Sequence, residues 1–374
     1  MAAEDAARAY GLREEMVQKS EVTQVLRFVA AALVLYAHHT YYYWERIDKG
    51  IRSSELGPQG VALFFYISGL VMVMSTRGSE PGWLGAKIFL LKRIVRVVPM
   101  YWVATAAKIA VAVALPHLIV SNGFDLWRAV GSFFFVPMLN DEGYMRPILG
   151  VGWTLIHEMY FYVLFSMSML FFRRLAWLAA SLAMLIMLGV GFVWATLAGG
   201  HNAWTVLFSN PINIYFVLGT LAGAVLSAPS NSWRGQSVLG LVLIALMLQG
   251  IFFSDLLWPF LSHPLALGLG AVLLFAYKAP LPISLRFLSS LGDSSYALYL
   301  FHTFYSTATL LVLHWLFPAW NAWAKIWLSV LIAVPLAHLI YARFEKPVTQ
   351  WVSRRVLGRK STVLGAGGER ISVS

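Results

Sequence analysis

Ten long runs of mostly apolar residues divide the sequence, and each is close to the length that an α-helix needs to cross a lipid bilayer. A hydrocarbon core of about 30 Å takes roughly 20 residues of helix. Hydrophobic residues make up 59% of the chain and charged residues only 12%, about half the charged fraction of a soluble domain. This composition excludes a soluble enzyme, a disordered chain and a fibrous repeat. We therefore expect an all-α fold, a polytopic transmembrane bundle of about ten helices.

The basic residues predict how these helices cross the membrane. The predicted spans are residues 24–43, 60–76, 93–115, 152–172, 175–197, 211–227, 235–253, 257–277, 291–314 and 322–343. Ten spans place both termini on one side. Assigning that side to the cytoplasm puts 20 of the 28 Lys and Arg residues there and 6 on the other side, with Arg27 and Lys108 inside spans. Because basic residues stay mostly on the cytoplasmic side, we expect both termini in the cytoplasm.

The two ends of the chain differ from the region between them. Residues 1–20 mix acidic and basic side chains, unlike the start of a signal peptide, so we expect an uncleaved cytoplasmic lead. Residues 351–374 carry several Arg and Lys residues followed by Gly and Ser, which predicts a basic, mobile cytoplasmic tail. The sequence thus predicts a single membrane domain over residues 21–350.

Cysteine is absent from the chain. This excludes disulfides, cysteine-ligated metal sites and an acyl-cysteine intermediate. The histidines are scattered and form no HExxH motif, so we expect no bound metal ion. The net charge of +11 is explained by cytoplasmic loops of a membrane protein, so we expect no nucleic-acid partner.

The first span contains two ionisable residues, Arg27 and His38, and such groups in a bilayer are functional candidates because they are costly. Eleven residues of helix return to within about 20° of the same direction, so the two side chains share a face. His39 points about 100° away. Arg27 near a span end also suits an interfacial residue whose charge reaches water. His38 on the same face favours the functional interpretation.

The fourth span contains Glu158, and His157 before it faces elsewhere. One interpretation is a buried carboxylate that pairs with a neighbouring helix for packing. The other, which we favour, is a carboxylate that orients and stabilises a catalytic histidine. We expect that histidine to be His38.

The start of the third span contains Lys92, Arg93 and Arg96. Arg93 and Arg96 are three residues apart and share a helix face. Such a group is ordinary at a cytoplasmic helix end. It also suits a phosphorylated ligand, because guanidinium groups bind phosphate bidentately.

A polar stripe runs along the ninth span, where Tyr296, Tyr299 and His302 recur every three residues. The stripe suits either hydrogen bonds between helices or a ligand-binding face. In the outer loop between the third and fourth spans, residues 116–151, we expect the short run 125–139 to be an interfacial or re-entrant piece.

Together these segments resemble the acyltransferase-3 family of integral membrane O-acyltransferases, from about residue 21 to residue 351. Six motifs in the family's order make the resemblance specific. They are Arg27-x10-His38, the run from Gly60 to Gly69, Arg93-x-x-Arg96-x-x-Pro99, Trp153-x-Leu155-x-x-Glu158, Ser295-Tyr296-Ala-Leu-Tyr299-Leu-Phe-His302 and Glu345-Lys346-Pro347. The sequence ends soon after the last motif, so we expect no fused SGNH-type domain and a closest resemblance to the stand-alone exopolysaccharide acetyltransferases.

The resemblance implies a membrane-bound O-acetyltransferase of the bacterial cytoplasmic (inner) membrane. Cytoplasmic acetyl-CoA is the implied acyl donor, and an exopolysaccharide or its lipid-linked oligosaccharide precursor is the implied acceptor. We expect Arg93, Arg96 and Lys92 to hold the donor. We expect His38, Glu158 and Arg27 to form the catalytic group. The residues expected to bind the acceptor are Tyr296, Tyr299, His302, Trp153, Tyr144 and Arg146.

Several alternatives stay open from the sequence. His38 either acts as a general base toward a sugar hydroxyl or takes part in an acyl-histidine or acyl-serine relay. A polysaccharide or lipid-linked sugar transporter or flippase would also carry intramembrane charges, without acyl transfer. A structural assembly partner would tolerate the loss of His38. The glycan, the acyl group and a homo-oligomeric state are not fixed by the sequence.

Overall fold

The computed structural model describes residues 20–77, 79, 82–114, 125–172, 175–197, 202–228, 233–252 and 263–357, with 363–364 and 370–371 near the C-terminus. The predicted lead lies outside the described residues except for Ser20, and so does most of the predicted tail beyond residue 357. Within the described part, the chain is almost entirely helical. The α-helices are α1 (Glu21–Arg46), α2 (Leu56–Thr76), α3 (Trp83–Ala114), α4 (Leu126–Phe133), α5 (Gly152–Phe172), α6 (Ala176–Leu197), α7 (Ala203–Ser209), α8 (Ile214–Ser227), α9 (Trp233–Phe252), α10 (Pro264–Ala276), α11 (Arg286–Asp293), α12 (Ser295–Leu316), α13 (Ala322–Ile340) and α14 (Lys346–Val356).

Short elements connect or follow these helices. The 3₁₀ turns Pro211–Asn213 and Ile283–Leu285 precede α8 and α11, and a π-helical turn, Tyr341–Glu345, joins α13 to α14. Strands β1 (Val363–Leu364) and β2 (Arg370–Ile371) form one antiparallel pair.

Eight helical segments of the described chain are long and apolar enough to cross a membrane. They are α1, α2, α3, α5, α6, α9, α12 and the continuous segment from α13 to α14. A ninth is formed if α7 and residues Pro211–Ser227, which meet at a 44° bend, make one span. The all-helical, multi-pass class is thus confirmed. The number of ten spans and the side of the termini remain predictions.

The remaining predicted span, 257–277, corresponds to α10. Its described helix has 13 residues, Pro264–Ala276, which is shorter than a full crossing, and residues 253–262 lie outside the described part. The predicted ninth span also differs, because the helix breaks at Ser294 into α11 and α12. In the loop between α3 and α5, the expected short piece corresponds to α4, whose start is capped by the Asp125 carboxylate.

Helix α2 lies at the centre of the bundle, between α1 and α8. Two glycines allow the backbones of α2 and α8 to approach closely: a Cβ at Gly69 would lie 2.9 Å from the Thr220 nitrogen, and one at Gly219 would lie 3.0 Å from the Leu70 nitrogen. Small residues are the usual means of such packing between membrane helices. The close approach fixes the position of the α2 face that carries Ser68.

Helix α12 is held between α1, α13 and α3. The Tyr296 hydroxyl donates a hydrogen bond to the Val97 carbonyl (2.8 Å), which ties the start of α12 to the middle of α3. On α3 this point lies just before Pro99, which has no N–H to continue the helical ladder. The three helices that carry the predicted arginines and tyrosines therefore meet at one level of the bundle.

Candidate active site

A cavity of about 870 Å³, including the part open to solvent, lies between α1, α2, α3, α5 and α12. Its lining includes six of the residues singled out from the sequence, although the chain separates the first from the last by more than half its length. They are Arg27, Arg93, Arg96, Glu158, Tyr296 and Tyr299. The cavity walls also include apolar side chains of α2, among them Val61, Ile67 and Val71. The result is a mostly apolar pocket with a few convergent charges, which is the usual form of a ligand site.

Three guanidinium groups face this cavity. Arg93 is 3% exposed, donates a hydrogen bond from Nη2 to the Ser75 hydroxyl (2.9 Å) and lies over the ring of Phe89 at 5.4 Å. Arg27 and Arg96 are close enough to repel each other electrostatically. Lys92, one residue before Arg93, is not part of the lining. The arginines are thus placed to attract an anionic group into the cavity.

Glu158 has different partners from those we expected. Its carboxylate accepts hydrogen bonds from the hydroxyl of Ser68 on α2 (3.1 Å) and from the hydroxyl of Tyr162, one turn along α5. Neither bond involves a histidine, so the geometry does not support the expectation that Glu158 orients His38. Helical phase gives the face of α5 on which Glu158 lies, but it does not give the neighbouring helix that this face meets.

A backbone carbonyl orients His38 instead. The Nδ1 atom of His38 lies 2.9 Å from the Val34 carbonyl oxygen, one turn back on α1. Because a carbonyl only accepts hydrogen bonds, Nδ1 carries the hydrogen and Nε2 of the neutral ring keeps its lone pair. The ring is therefore held as the tautomer that a general base needs.

His302 lies beside His38 and completes a histidine pair, with ring centroids 4.7 Å apart. His302 is 0% exposed and its Nδ1 lies 2.7 Å from the Tyr299 carbonyl, so its Nε2 is also the basic nitrogen. This Nε2 has no hydrogen-bond partner within the described residues. The Nε2 atoms of His39 and His157 also lack a partner there, so it is the pairing with His38 that distinguishes His302.

Tyr299 links the cavity to the histidine pair. Its ring lies 6.2 Å from that of His302, and its hydroxyl lies 2.6 Å from the Thr154 hydroxyl and 3.0 Å from the Val151 carbonyl. Tyr299 and Thr154 both line the cavity. Tyr299 and His302, both on α12, are therefore the polar residues that connect the cavity with His38.

The predicted residues of the outer side lie apart from the cavity. The Arg146 guanidinium lies 5.5 Å from the ring centroid of Tyr144, which is 59% exposed, and it is near enough to His38 to act on it electrostatically. Trp153 packs instead against the buried ring of His157 at 5.4 Å. The structure thus brings Arg146 toward the histidine pair and leaves Trp153 in the packing of α5.

Sequence reasoning missed several polar residues of the site. Gln24 and Thr154 line the cavity, and Ser68 and Tyr162 hold the Glu158 carboxylate. Tyr162 follows Glu158 by four residues, a spacing that places both on one helix face and could have identified it. Within the described chain, no group of three His, Asp or Glu side chains is arranged to hold a metal ion.

Comparison with known proteins identifies the family. Residues 24–342 match the model of the acyltransferase-3 family, described as an acyltransferase domain. The chain is 31% identical to "Exopolysaccharide production protein ExoZ" of Rhizobium meliloti (strain 1021) over 325 residues, which covers 83% of this chain and 94% of that protein. It is 24% identical to "Nodulation protein 10" of Rhizobium leguminosarum bv. viciae over 374 residues, covering 89% of this chain and 95% of that protein. No solved structure matches the chain. The chain is therefore a multi-pass membrane protein that belongs to the acyltransferase-3 family.

Proposed function

We propose that the protein is an O-acetyltransferase that moves an acetyl group from cytoplasmic acetyl-CoA to a hydroxyl of a bacterial exopolysaccharide or of its lipid-linked oligosaccharide precursor. The observation that carries the proposal is the cavity lined by Arg27, Arg93, Arg96 and Tyr299, together with the 6.2 Å between the rings of Tyr299 and His302, the partner of His38 in the histidine pair. The similarity to an exopolysaccharide production protein supports the class of acceptor. The proposed location is the bacterial cytoplasmic (inner) membrane, with both termini in the cytoplasm.

The proposed donor site is the arginine side of the cavity. The phosphates of CoA are too costly to place in hydrocarbon, so the nucleotide stays at the cytoplasmic mouth. There Arg96 binds phosphate oxygens, with Arg93 fixed behind it by Ser75. Lys92, outside the lining, contributes positive charge at the mouth. The thinner pantetheine arm extends between the helices past Arg27 toward Tyr299.

The proposed reaction takes place at the histidine pair. Nε2 of His38 accepts the proton of the acceptor hydroxyl, and the hydroxyl oxygen attacks the thioester carbonyl carbon. The carbon–sulfur bond then breaks, an ester forms, and the CoA thiolate leaves and takes up the proton that His38 released. The Val34 carbonyl holds the imidazole throughout by accepting from Nδ1. General-base catalysis of this kind contributes typically about 10²–10⁴-fold.

The acceptor reaches His38 from the opposite side to the donor. Arg146 and the exposed Tyr144 flank that approach, and a tyrosine ring and a guanidinium suit stacking on and hydrogen bonding to a sugar. Tyr296, Tyr299 and His302 lie along α12 between the two approaches. Trp153 acts indirectly, because it packs against His157.

The decisive experiment is acyl transfer by the purified protein in nanodiscs. It is incubated with acetyl-CoA labelled in the acetyl group and with a bacterial exopolysaccharide, and free CoA and labelled glycan are measured. Both products should appear in equal amounts, with or without EDTA. Movement of the glycan or its lipid-linked precursor across the membrane without release of CoA would favour a transporter instead.

A further inference from the structure

Glu345 belongs to the last family motif, Glu345-Lys346-Pro347, and the proposed reaction gives it no role. It ends the π-helical turn Tyr341–Glu345, in which the Lys346 N–H donates to the Tyr341 carbonyl. Pro347 has no N–H and its ring crowds the carbonyl four residues before it, which disfavours a regular α-helix at this point. Such turns occur frequently at functional sites.

The turn points Glu345 into the protein. Glu345 is 9% exposed, while the neighbouring Phe344 is 62% exposed and Lys346 is also exposed. A buried carboxylate is costly unless hydrogen bonds or nearby cations offset its charge. The surroundings of Glu345 supply nearby cations and the N-terminus of a helix.

The Glu345 carboxylate lies close to the backbone N–H of Ala297, in the first turn of α12. Ser294, which precedes α12, makes no side-chain capping bond. Glu345 therefore supplies from a different helix the negative charge that a helix N-terminus favours. Its Oε2 atom is buried and has no hydrogen-bond partner within the described residues.

The cations near Glu345 are Arg96 and Arg27, the two cavity arginines that repel each other. Among the described residues, no ion pair within 4.0 Å joins Glu345 to either of them. The attraction between the Glu345 carboxylate and these two guanidinium groups therefore acts without a direct ion pair. The remaining acids near Arg27 are Glu158 and Asp293.

We propose that Glu345 is a positioning residue of the transfer site, with two linked effects. Its charge holds Arg27 and Arg96 together at the cavity, and its carboxylate beside the N-terminus of α12 fixes the start of this helix, which carries Tyr299 and His302. This inference rests on the proposed binding of CoA by the arginines. In this proposal, Glu345 connects the arginines of the donor site with α12, the helix that carries His302 of the histidine pair.

The test uses Glu345→Gln in the full chain in nanodiscs, with the Kd of CoA from calorimetry and kcat from acetyl transfer. The amide removes the negative charge beside the arginines, so CoA should bind more tightly, by about threefold. Transfer should become slower because the arginines and α12 lose their common partner, and we expect kcat to fall at least about tenfold. A merely structural role would lower kcat and thermal stability and leave the Kd unchanged, and that result would overturn the proposal.

Two further variants complete the test. Glu55→Gln removes the same charge at an exposed site and should change neither constant. Glu345→Asp keeps the charge and shortens the side chain, so it should keep the wild-type Kd for CoA and lower kcat. A wild-type kcat in Glu345→Asp would overturn the positioning role. This result would count even if Glu345→Gln does not fold. Failure of the wild-type protein itself to bind CoA would instead refute the donor site, and this inference with it.

Discussion

Two neighbouring histidines on α1 differ in what their rings reach. His38 lies against His302 and near Arg146, whereas His39 is fully buried with its Nδ1 on the Leu35 carbonyl. His38→Ala should lower kcat at least about a hundredfold, as expected for the loss of a positioned base. The matched variant His39→Ala should keep most of its activity and lose thermal stability because it empties a buried site. An active His38→Ala enzyme with wild-type kcat would exclude His38 from the chemistry.

Arg96 offers the cleaner test of the donor site, because Arg93 is also fixed to Ser75. A hydrogen bond to a charged group is worth about 1.5–3 kcal/mol, so Arg96→Ala should weaken CoA binding by roughly 10- to 150-fold. Calorimetric titration measures this directly. Arg234→Ala, which removes an exposed charge from the start of α9, is the control and should bind CoA as the wild type does. If the wild type, Arg96→Ala and Arg234→Ala all bind CoA with the same affinity, Arg96 does not bind CoA and serves only to orient the helices in the membrane.

Glu158→Gln separates the expected role of this carboxylate from the observed one. The carboxylate binds the hydroxyls of Ser68 and Tyr162 rather than His38. We therefore expect kcat/KM to fall by about tenfold through the loss of charge-assisted hydrogen bonds, with the acid limb of the pH–rate profile unmoved. A shifted acid limb would restore the link to His38 that the sequence suggested.

Among individual residues, the sequence predicted which charged side chains lie together better than it predicted their hydrogen-bond partners. Charges within apolar spans identified Arg27, Arg96 and Glu158, because a charged side chain inside a bilayer costs free energy and therefore usually has a function. The carboxylate of Glu158 binds Ser68 and Tyr162 rather than His38, and residue spacing did not predict this because it gives the face of one helix and not its contact with another. The His38–Val34 bond was not anticipated, because backbone carbonyls carry no sequence signal.

At the scale of helices, the contact between α2 and α8 depends on the absence of side chains. A Cβ at Gly219 would meet backbone atoms of Tyr66 and Leu70, which cannot move aside as a flexible side chain can. Gly219→Ala should therefore destabilise the protein by about 1–3 kcal/mol, as overpacking does, and lower activity because α2 carries Ser68. Gly189→Ala on α6 is the control, since nothing lies within 4 Å of its Cβ position. Thermal unfolding in nanodiscs measures both, and equal melting temperatures would exclude a packing role for Gly219.

Hydropathy located the helices but not their breaks. The predicted first span, 24–43, became α1 over Glu21–Arg46, because Ser20 caps its start with a hydrogen bond from the Thr23 nitrogen. The predicted last span, 322–343, continues through the π-helical turn into α14. Both differences come from local hydrogen bonds, which an average over apolar residues does not represent.

At the scale of the whole molecule, the proposed function requires a donor approach and an acceptor approach on opposite sides of the membrane. Tyr299 lines the cavity together with the arginines, and its ring lies 6.2 Å from that of His302 in the histidine pair. The excess of Lys and Arg predicts that the arginine side faces the cytoplasm. Ten spans and cytoplasmic termini both require that every predicted helix crosses the membrane. Among the predicted spans, α10 has the shortest described helix, with 13 residues.

Single cysteines can decide this topology, because the chain has none of its own to give background. Ten spans with cytoplasmic termini place Asp141, Ser254 and Ala319 outside, and Ala279 and Gln350 inside. A membrane-impermeant maleimide should therefore label Asp141→Cys, Ser254→Cys and Ala319→Cys in intact cells, and should label Ala279→Cys and Gln350→Cys only after the membrane is opened. The pair Ser254→Cys and Ala279→Cys tests α10 itself, since the two positions flank it. Labelling of both from outside would mean that α10 does not cross, that the number of spans is odd, and that the termini lie on opposite sides.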